Sequence, residues 1–215
     1  RAVSTIAAYK KKERDIFYDV DLDSKPIKPQ LIVKVLEKVA KKDAIFVVGA
    51  GHNTHFSNFL TIRRPDCYHL SAGSGTMAWA FAAALGIKLA LPGRQVIVPT
   101  GDGDFGMNAQ EIETAVRENI PVTVIIYNDT SFGALRIFQR GYYGDRQLGS
   151  EYGETDFVKL AEAYGAVGFR VDEPKDLEPT VVKALASNKV TIIDVRIDPW
   201  QLAHRAPEFK EFHKF

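Results

Sequence analysis

Two short stretches combine acids with glycines at spacings that suit chemistry. They are GDGDFG at residues 101–106 and NDTSFG at residues 128–133, each following an apolar run. Taken literally, the first is G-x-G-x-x-G, the dinucleotide-binding fingerprint, with Asp129 as the downstream acid. Its own carboxylates argue against that reading. Asp102 would stand beside phosphate oxygens, and two like charges at about 4 Å, with an effective dielectric near 20, repel by about 4 kcal/mol. A divalent cation reverses the sign. Asp102 then becomes a ligand, and the metal bridges it to a diphosphate, the arrangement Mg²⁺ prefers. NDTSFG supplies the remainder, with the Asp129 carboxylate and a backbone carbonyl near Ser131. Asp129 follows Asp102 by 27 residues, one strand–helix–strand unit, which puts both turns on one sheet edge. An EF-hand fits poorly, because the fifth position counted from Asp102 is Gly106. The DFG at residues 104–106 has no accompanying H-R-D loop of a protein kinase. Each turn alone reads as readily as a plain tight turn; the pair, at this spacing, reads as a site.

The elements that must position these turns follow from periodicity. Short runs rich in Val and Ile, over residues 44–51, 67–73, 95–103, 122–129, 167–171 and 190–197, alternate with helical patterns near 29–42, 75–90, 108–118, 156–164 and 175–187. This predicts an α/β fold, a doubly wound, mainly parallel sheet of about six strands with helices on both faces. Two more glycine-bearing loops end strand candidates, GAGHN at 49–53 and SAGSGTM at 71–77. Ligands in such sheets bind at the carboxyl edge, so the four loops describe one large site. Residues 1–28 are polar, show no sustained period and read as a linker, with KKKER at 10–14 as a solvated run. Residues 29–198 read as the domain, and 199–215 as a tail.

The whole chain sets bounds on this site. Its 215 residues, 46% hydrophobic, suffice for one large core. A net charge of +1 offers no bulk attraction to nucleic acid or an anionic membrane. A lone cysteine, Cys67, rules out an intrachain disulfide framework and any cysteine-only metal site. No apolar run is long enough to span a bilayer, and a cytoplasmic setting is expected. The chain begins at Arg1 rather than Met, which suggests a piece of a longer polypeptide or a processed subunit. His55, His69 and Cys67 read as packing or surface residues, and Trp79, Phe81 and Leu85 as core or interface.

GDG followed by NDTSFG resembles the signature of thiamine-diphosphate (ThDP) enzymes. More narrowly it resembles the C-terminal, diphosphate-binding domain of the acetolactate synthase, benzoylformate decarboxylase and pyruvate oxidase group. The similarity covers most of residues 27–198, and the run from His52 to Met77 is similar to acetolactate synthases. The resemblance implies ThDP and Mg²⁺ as cofactors, with any FAD on a domain outside this chain. It implies Asp102 and Asp129 as metal ligands through their side chains and Ser131 through its carbonyl. His52 and Asn53 would contact the diphosphate, and Gly75 and Met77 the aminopyrimidine. The Met77 side chain would bend the cofactor into a V, the one catalytic role expected here. Gly51, Gly73, Ser74, Gly101, Gly103, Asp104, Phe132 and Gly133 complete the expected cofactor-binding set, Gly133 by permitting close approach.

Three positions depart from the family pattern. Many relatives carry Asn in place of Asp129, Ser or Ala in place of Asp104, and Leu in place of Ser74. An ionised Asp104 cannot donate to phosphate, so its role stays open. The carboxylate that activates the pyrimidine is absent and is implied on a pyrimidine-binding domain in the same or a neighbouring chain, in a homodimer or homotetramer. The function implied is decarboxylation of 2-oxo acids with carboligation, as in acetolactate synthase. Alternatives are a benzoylformate-type decarboxylase, which FGALR at 132–136 favours, a NAD- or FAD-binding oxidoreductase domain, or a non-catalytic subunit. Ferredoxin-dependent oxidoreductases rank low, because their cluster cysteines are missing.

Overall fold

The computed structural model describes residues 2–71 and 73–203, so most of the tail, 204–215, lies outside the described residues. Among these residues the Val- and Ile-rich runs form one parallel sheet. Its strands are β1 (Ile45–Val48), β2 (Tyr68–Leu70), β3 (Val96–Gly101), β4 (Thr123–Asn128), β5 (Val167–Val171) and β6 (Thr191–Arg196). Their spatial order is β2-β1-β3-β4-β6-β5, with every pairing parallel.

Strand side chains alternate between two cores, as a parallel sheet covered on both faces requires. Ile97, Ile125 and Ile193 meet Ile32 and Leu36 of α2 (Pro29–Val39) and Leu177 and Val181 of α9 (Pro174–Ala186). On the opposite face Val98, Val124 and Ile192 meet three helices. These are α4 (Trp79–Ala90) through Phe81, α6 (Glu111–Arg117) through Ile112, and α8 (Phe157–Ala163) through Phe157. Helix starts follow local chemistry. Pro29 and Pro174 open α2 and α9. The Asp156 carboxylate caps α8 by accepting from the Lys159 backbone N–H at 3.0 Å.

The expected architecture is therefore present, with four local differences. A helix α1 (Ala2–Phe17) occupies the stretch that shows no period. Its Ala, Lys and Glu residues are good helix formers, and its end is fastened to the domain. Phe17 stacks on Phe59 at 3.9 Å, and Arg14 pairs with Glu37 at 2.6 Å, so the basic run is only partly solvated. Short helices α3 (His52–Ser57), α5 (Asp102–Gly106) and α7 (Gly133–Tyr142) replace three stretches that read as loops. Helices α3 and α5, of one or two turns, show too little periodicity to be read from pattern; α7 has ten residues and a helix-spaced apolar stripe, Leu135, Phe138 and Tyr142, yet is absent from the expected elements.

The order of strands locates the site. From β1 the chain moves outward to β2, then returns past β1 to β3. This reversal opens a crevice between the turns after β1 and β3. Gly101 pairs in register with Tyr127, so the turns after β3 and β4 start side by side. Among the described residues no helix is long and apolar enough to cross a membrane.

Candidate functional site

A cavity of about 250 Å³ lies at the carboxyl ends of β1, β3 and β4. It is lined by Gly51, His52, Asn53, Gly75, Met77, Gly101, Asp102, Gly103, Asp104, Asp129, Ser131, Phe132 and Gly133. Four loops distant in sequence thus converge. Gly73 and Ser74 do not line it; both are exposed, and the Ser74 hydroxyl is bonded to that of Thr76 at 2.7 Å. Two glycines are required by contact. A Cβ on Gly103 would sit 2.7 Å from the Phe132 ring, and one on Gly133 would sit 2.9 Å from Asp129 Oδ2.

The acids carry the electrostatic signature of a cation site. Asp102 is 3% exposed, and its Oδ2 is buried without a hydrogen-bond partner. Burial, reinforced by the charge of Asp129, pushes its carboxyl up to about 7. Asp129 is raised by burial as well, and chiefly the charge of Arg136 opposes this. Two buried carboxylates, both pushed toward the neutral form and one with an orphaned oxygen, fit a hard cation. Among the described residues no three His, Cys, Asp or Glu side chains are grouped to hold a metal. A donor set of the two carboxylates and the Ser131 carbonyl would leave room for phosphate and water, as Mg²⁺ prefers.

The turn after β4 is braced from behind. The Asn128 amide donates to Asp194 Oδ1 at 2.8 Å, and its carbonyl oxygen accepts from the Thr130 N–H at 3.2 Å, with Thr130 at φ 56°. Asp129 Oδ1 accepts from both the N–H and the hydroxyl of Ser131. The loop then pairs antiparallel with residues near Glu151, which brings Tyr152 into the site. The Tyr152 hydroxyl donates to the Ser131 carbonyl at 3.3 Å, and its ring meets Phe132 edge-on. Burial and the charge of Asp102 push this hydroxyl far up, so it stays a donor. Sequence pattern does not single out Tyr152 or Arg136 as site residues. Tyr152 carries no motif, and only the FGALR run touches Arg136.

The structure gives Asp104 a concrete place. Its Oδ2 accepts from the Thr100 hydroxyl at 2.6 Å and its Oδ1 from the Ala78 N–H at 2.5 Å. One buried acid thus ties the turn after β3 to the start of α4, packed against Gly49 at the turn after β1. Ala78 adopts a left-handed conformation, φ 69°, and the Asn108 amide holds its carbonyl. Both polar groups of the residue after Met77 are therefore gripped. The Asn53 amide donates to the carbonyls of Gly49 and Pro99, and its Oδ1 is buried unpartnered.

His52 is held neutral. Burial, then His55 and Arg136, push its imidazole down to about 4. In the cofactor-free protein its ring resonances are expected to show no protonation between about pH 8 and pH 5 in an NMR titration. A midpoint near the ordinary histidine value, about 6.5, would contradict this placement.

Comparison with known proteins agrees with this geometry. The family model described as thiamine pyrophosphate enzyme, C-terminal TPP binding domain, matches residues 49–195. The probable acetolactate synthase large subunit of Methanocaldococcus jannaschii is 38% identical over 196 residues, covering 87% of this chain and 33% of that protein. The acetolactate synthase isozyme 3 large subunit of Escherichia coli K12 is 36% identical over 183 residues, covering 83% and 32%. Among solved structures, a thiamine diphosphate-dependent 4-hydroxybenzoylformate decarboxylase from Rhodococcus jostii RHA1 superposes with a TM-score of 0.74 at 32% identity, over 80% of this chain and 33% of that one. The chain spans about a third of the length of each of these proteins.

Proposed function

Because the chain belongs to the thiamine pyrophosphate enzymes, through their C-terminal TPP-binding domain, we propose that it is the diphosphate- and metal-binding half of an acetolactate synthase-like enzyme acting on 2-oxo acids. Residues 29–198 form that domain, and 1–28 lead from a preceding domain. The observation that carries the reading is the pair of buried acids, Asp102 and Asp129, both lining a glycine-walled cavity, with Asp102 Oδ2 left without a hydrogen-bond partner.

When bound, ThDP supplies the electron sink for cleaving the bond beside a 2-oxo acid's carbonyl. This chain's residues do the holding. Asp102, Asp129 and the Ser131 carbonyl would hold Mg²⁺. Gly103 and Gly133 let the backbone approach without a methyl in the way. Met77, fixed through Ala78, presents its side chain to the cavity as the bending wedge. His52, being neutral, adds no charge beside the diphosphate. No group lining this cavity is placed as the pyrimidine-activating acid, so that carboxylate comes from a pyrimidine-binding domain, in this or a neighbouring chain of a homo-oligomer. Leu135 lines the cavity, and with Phe138 and Tyr142 it leaves half-exposed apolar side chains along α7 that suit such a partner.

The test is to titrate the full protein with ThDP, with and without Mg²⁺. Tight binding only in the presence of the cation is expected. Metal-independent NAD binding, or no ThDP binding under either condition, overturns the reading. A benzoylformate-type decarboxylase is the second reading, favoured by the Rhodococcus structure and the FGALR run at 132–136. Pyruvate turnover to a carboligated product supports the first, and release of an aromatic aldehyde from an aryl 2-oxo acid the second.

A further inference from the structure

Arg136 is a buried charge that the proposed chemistry does not use. It is 3% exposed, sits on α7 behind the turn after β4, and does not line the cavity. Its Nη2 donates to Asp129 Oδ2 at 2.7 Å and to the Pro199 carbonyl, while its Nε is buried without a partner. Its guanidinium also lies over the Trp200 ring, 4.7 Å from the centroid, and Arg140 lies over the same ring at 4.8 Å. Asp198 completes the junction by pairing with Lys28 at 2.5 Å and accepting from the Trp200 N–H at 2.8 Å. One planar cation thus spans two segments that lie just past the end of the β4–β6 ladder, whose last pair is Asn128 with Arg196.

A buried cation costs much desolvation unless it is paired, and a fork-shaped guanidinium can serve a carboxylate and a carbonyl together. A divalent cation at Asp129 would compete with it for the same carboxylate. We propose that Arg136 is a positioning residue. It is the resident counter-ion that keeps the turn 128–133 folded before metal arrives, and it joins that turn to the segment 198–203 as one cooperative unit. The consequence is that the state of Asp129 is read at Pro199 and Trp200, outside the cavity's walls. The metal part of this statement rests on the proposed function; the coupling of the two segments does not.

Hydrogen exchange on the full protein, followed by mass spectrometry, tests it. In metal-free buffer Arg136→Gln is expected to speed exchange at least about tenfold in the peptides covering both 128–134 and 198–203, as loss of a shared buried ion pair should. Peptides from β3 and β6 stay unchanged. Arg136→Lys keeps a charge for Asp129 but not the fork or the flat stacking surface, so it protects the turn more than the segment. Adding Mg²⁺ and ThDP to Arg136→Gln restores the turn, because the cation replaces the lost counter-ion, and leaves 198–203 fast. Acceleration confined to one of the two peptides, or shared with the central strands, overturns the proposal, as does equal rescue of both peptides by cofactor. If wild-type protein gains no protection from Mg²⁺ and ThDP, the metal reading fails, while the metal-free comparison still decides the coupling.

Discussion

Replacing Asp102 with Asn is expected to abolish Mg²⁺-dependent ThDP retention while making the empty protein more stable. The two effects have one cause. The carboxylate is buried, and both burial and Asp129 disfavour its charge. In the folded protein its pKa is about 7 against an ordinary value of 3.8. A raised folded value means the associated stability is fully present below about pH 4 and is lost as pH rises through about 7. Above that, the ionised group costs the empty fold up to about 4 kcal/mol. Asn keeps the shape and removes the charge, so unfolding at about pH 8 without metal should show a higher Tm than wild type. That gain should vanish at about pH 4. The same charge is what the cation needs. Loss of a direct ligand should weaken ThDP binding in Mg²⁺ by at least the roughly 100-fold seen at the upper end for outer-shell changes. Calorimetry of ThDP binding and thermal scans at two pH values check both halves. Unchanged cofactor affinity, or a lower Tm at the higher pH, would count against Asp102 as the metal's ligand.

Asp104→Ala is expected to damage the fold and the site together. Its carboxylate serves the Thr100 hydroxyl and the Ala78 N–H. Truncation leaves buried donors unpaired at about 1–3 kcal/mol each. A total loss of about 3–5 kcal/mol would lower Tm by about 10–15 °C in a domain of this size. Gly49→Ala tests the same junction from the other side, since its Cβ would fall 2.0 Å from Asp104 Oδ2 and 2.5 Å from Thr100 Oγ1. Asp104→Asn should be far milder, because the Thr100 hydroxyl can reverse its bond and Oδ1 can still accept from Ala78. If the Ala variant retains wild-type Tm, the carboxylate does not brace these turns. With the fold intact at low temperature, Asp104→Ala should still bind ThDP more weakly than Asp104→Asn, because Ala78 no longer fixes Met77.

Much of the architecture is legible in residue pattern alone. The Val and Ile runs of β3, β4 and β6 are buried on both faces, and that environment permits little but continuous branched apolar residues. The conflict between the acids of GDGDFG and a bare phosphate cradle points to a cation, since charge is a property of residue type and spacing. Helix α7 is legible, with Leu135, Phe138 and Tyr142 at helical spacing over ten residues. Helices α3 and α5 are not, because a turn or two of helix beside a ligand loop is shaped by tertiary contacts more than by periodicity. Helix α1 is hidden for the opposite reason. It has helical composition but no buried stripe, with Val3, Ile6 and Tyr9 exposed.

Local pattern and one strand–helix–strand separation are enough to specify the parallel α/β architecture and to bring Asp102 and Asp129 to one sheet edge. What each acid meets depends on packing between distant segments. Asp104 lies two residues from Asp102 in the same motif, yet its carboxylate is held by Thr100 and Ala78, while Asp102 lines the cavity with one oxygen left unpartnered. Tyr152 and Arg136 enter by contacts from 21 and 7 residues away, and Arg136 reaches a further 63 residues to Pro199. Neighbours along a chain share a motif, but hydrogen-bond partners and burial are set by which segments the fold packs together.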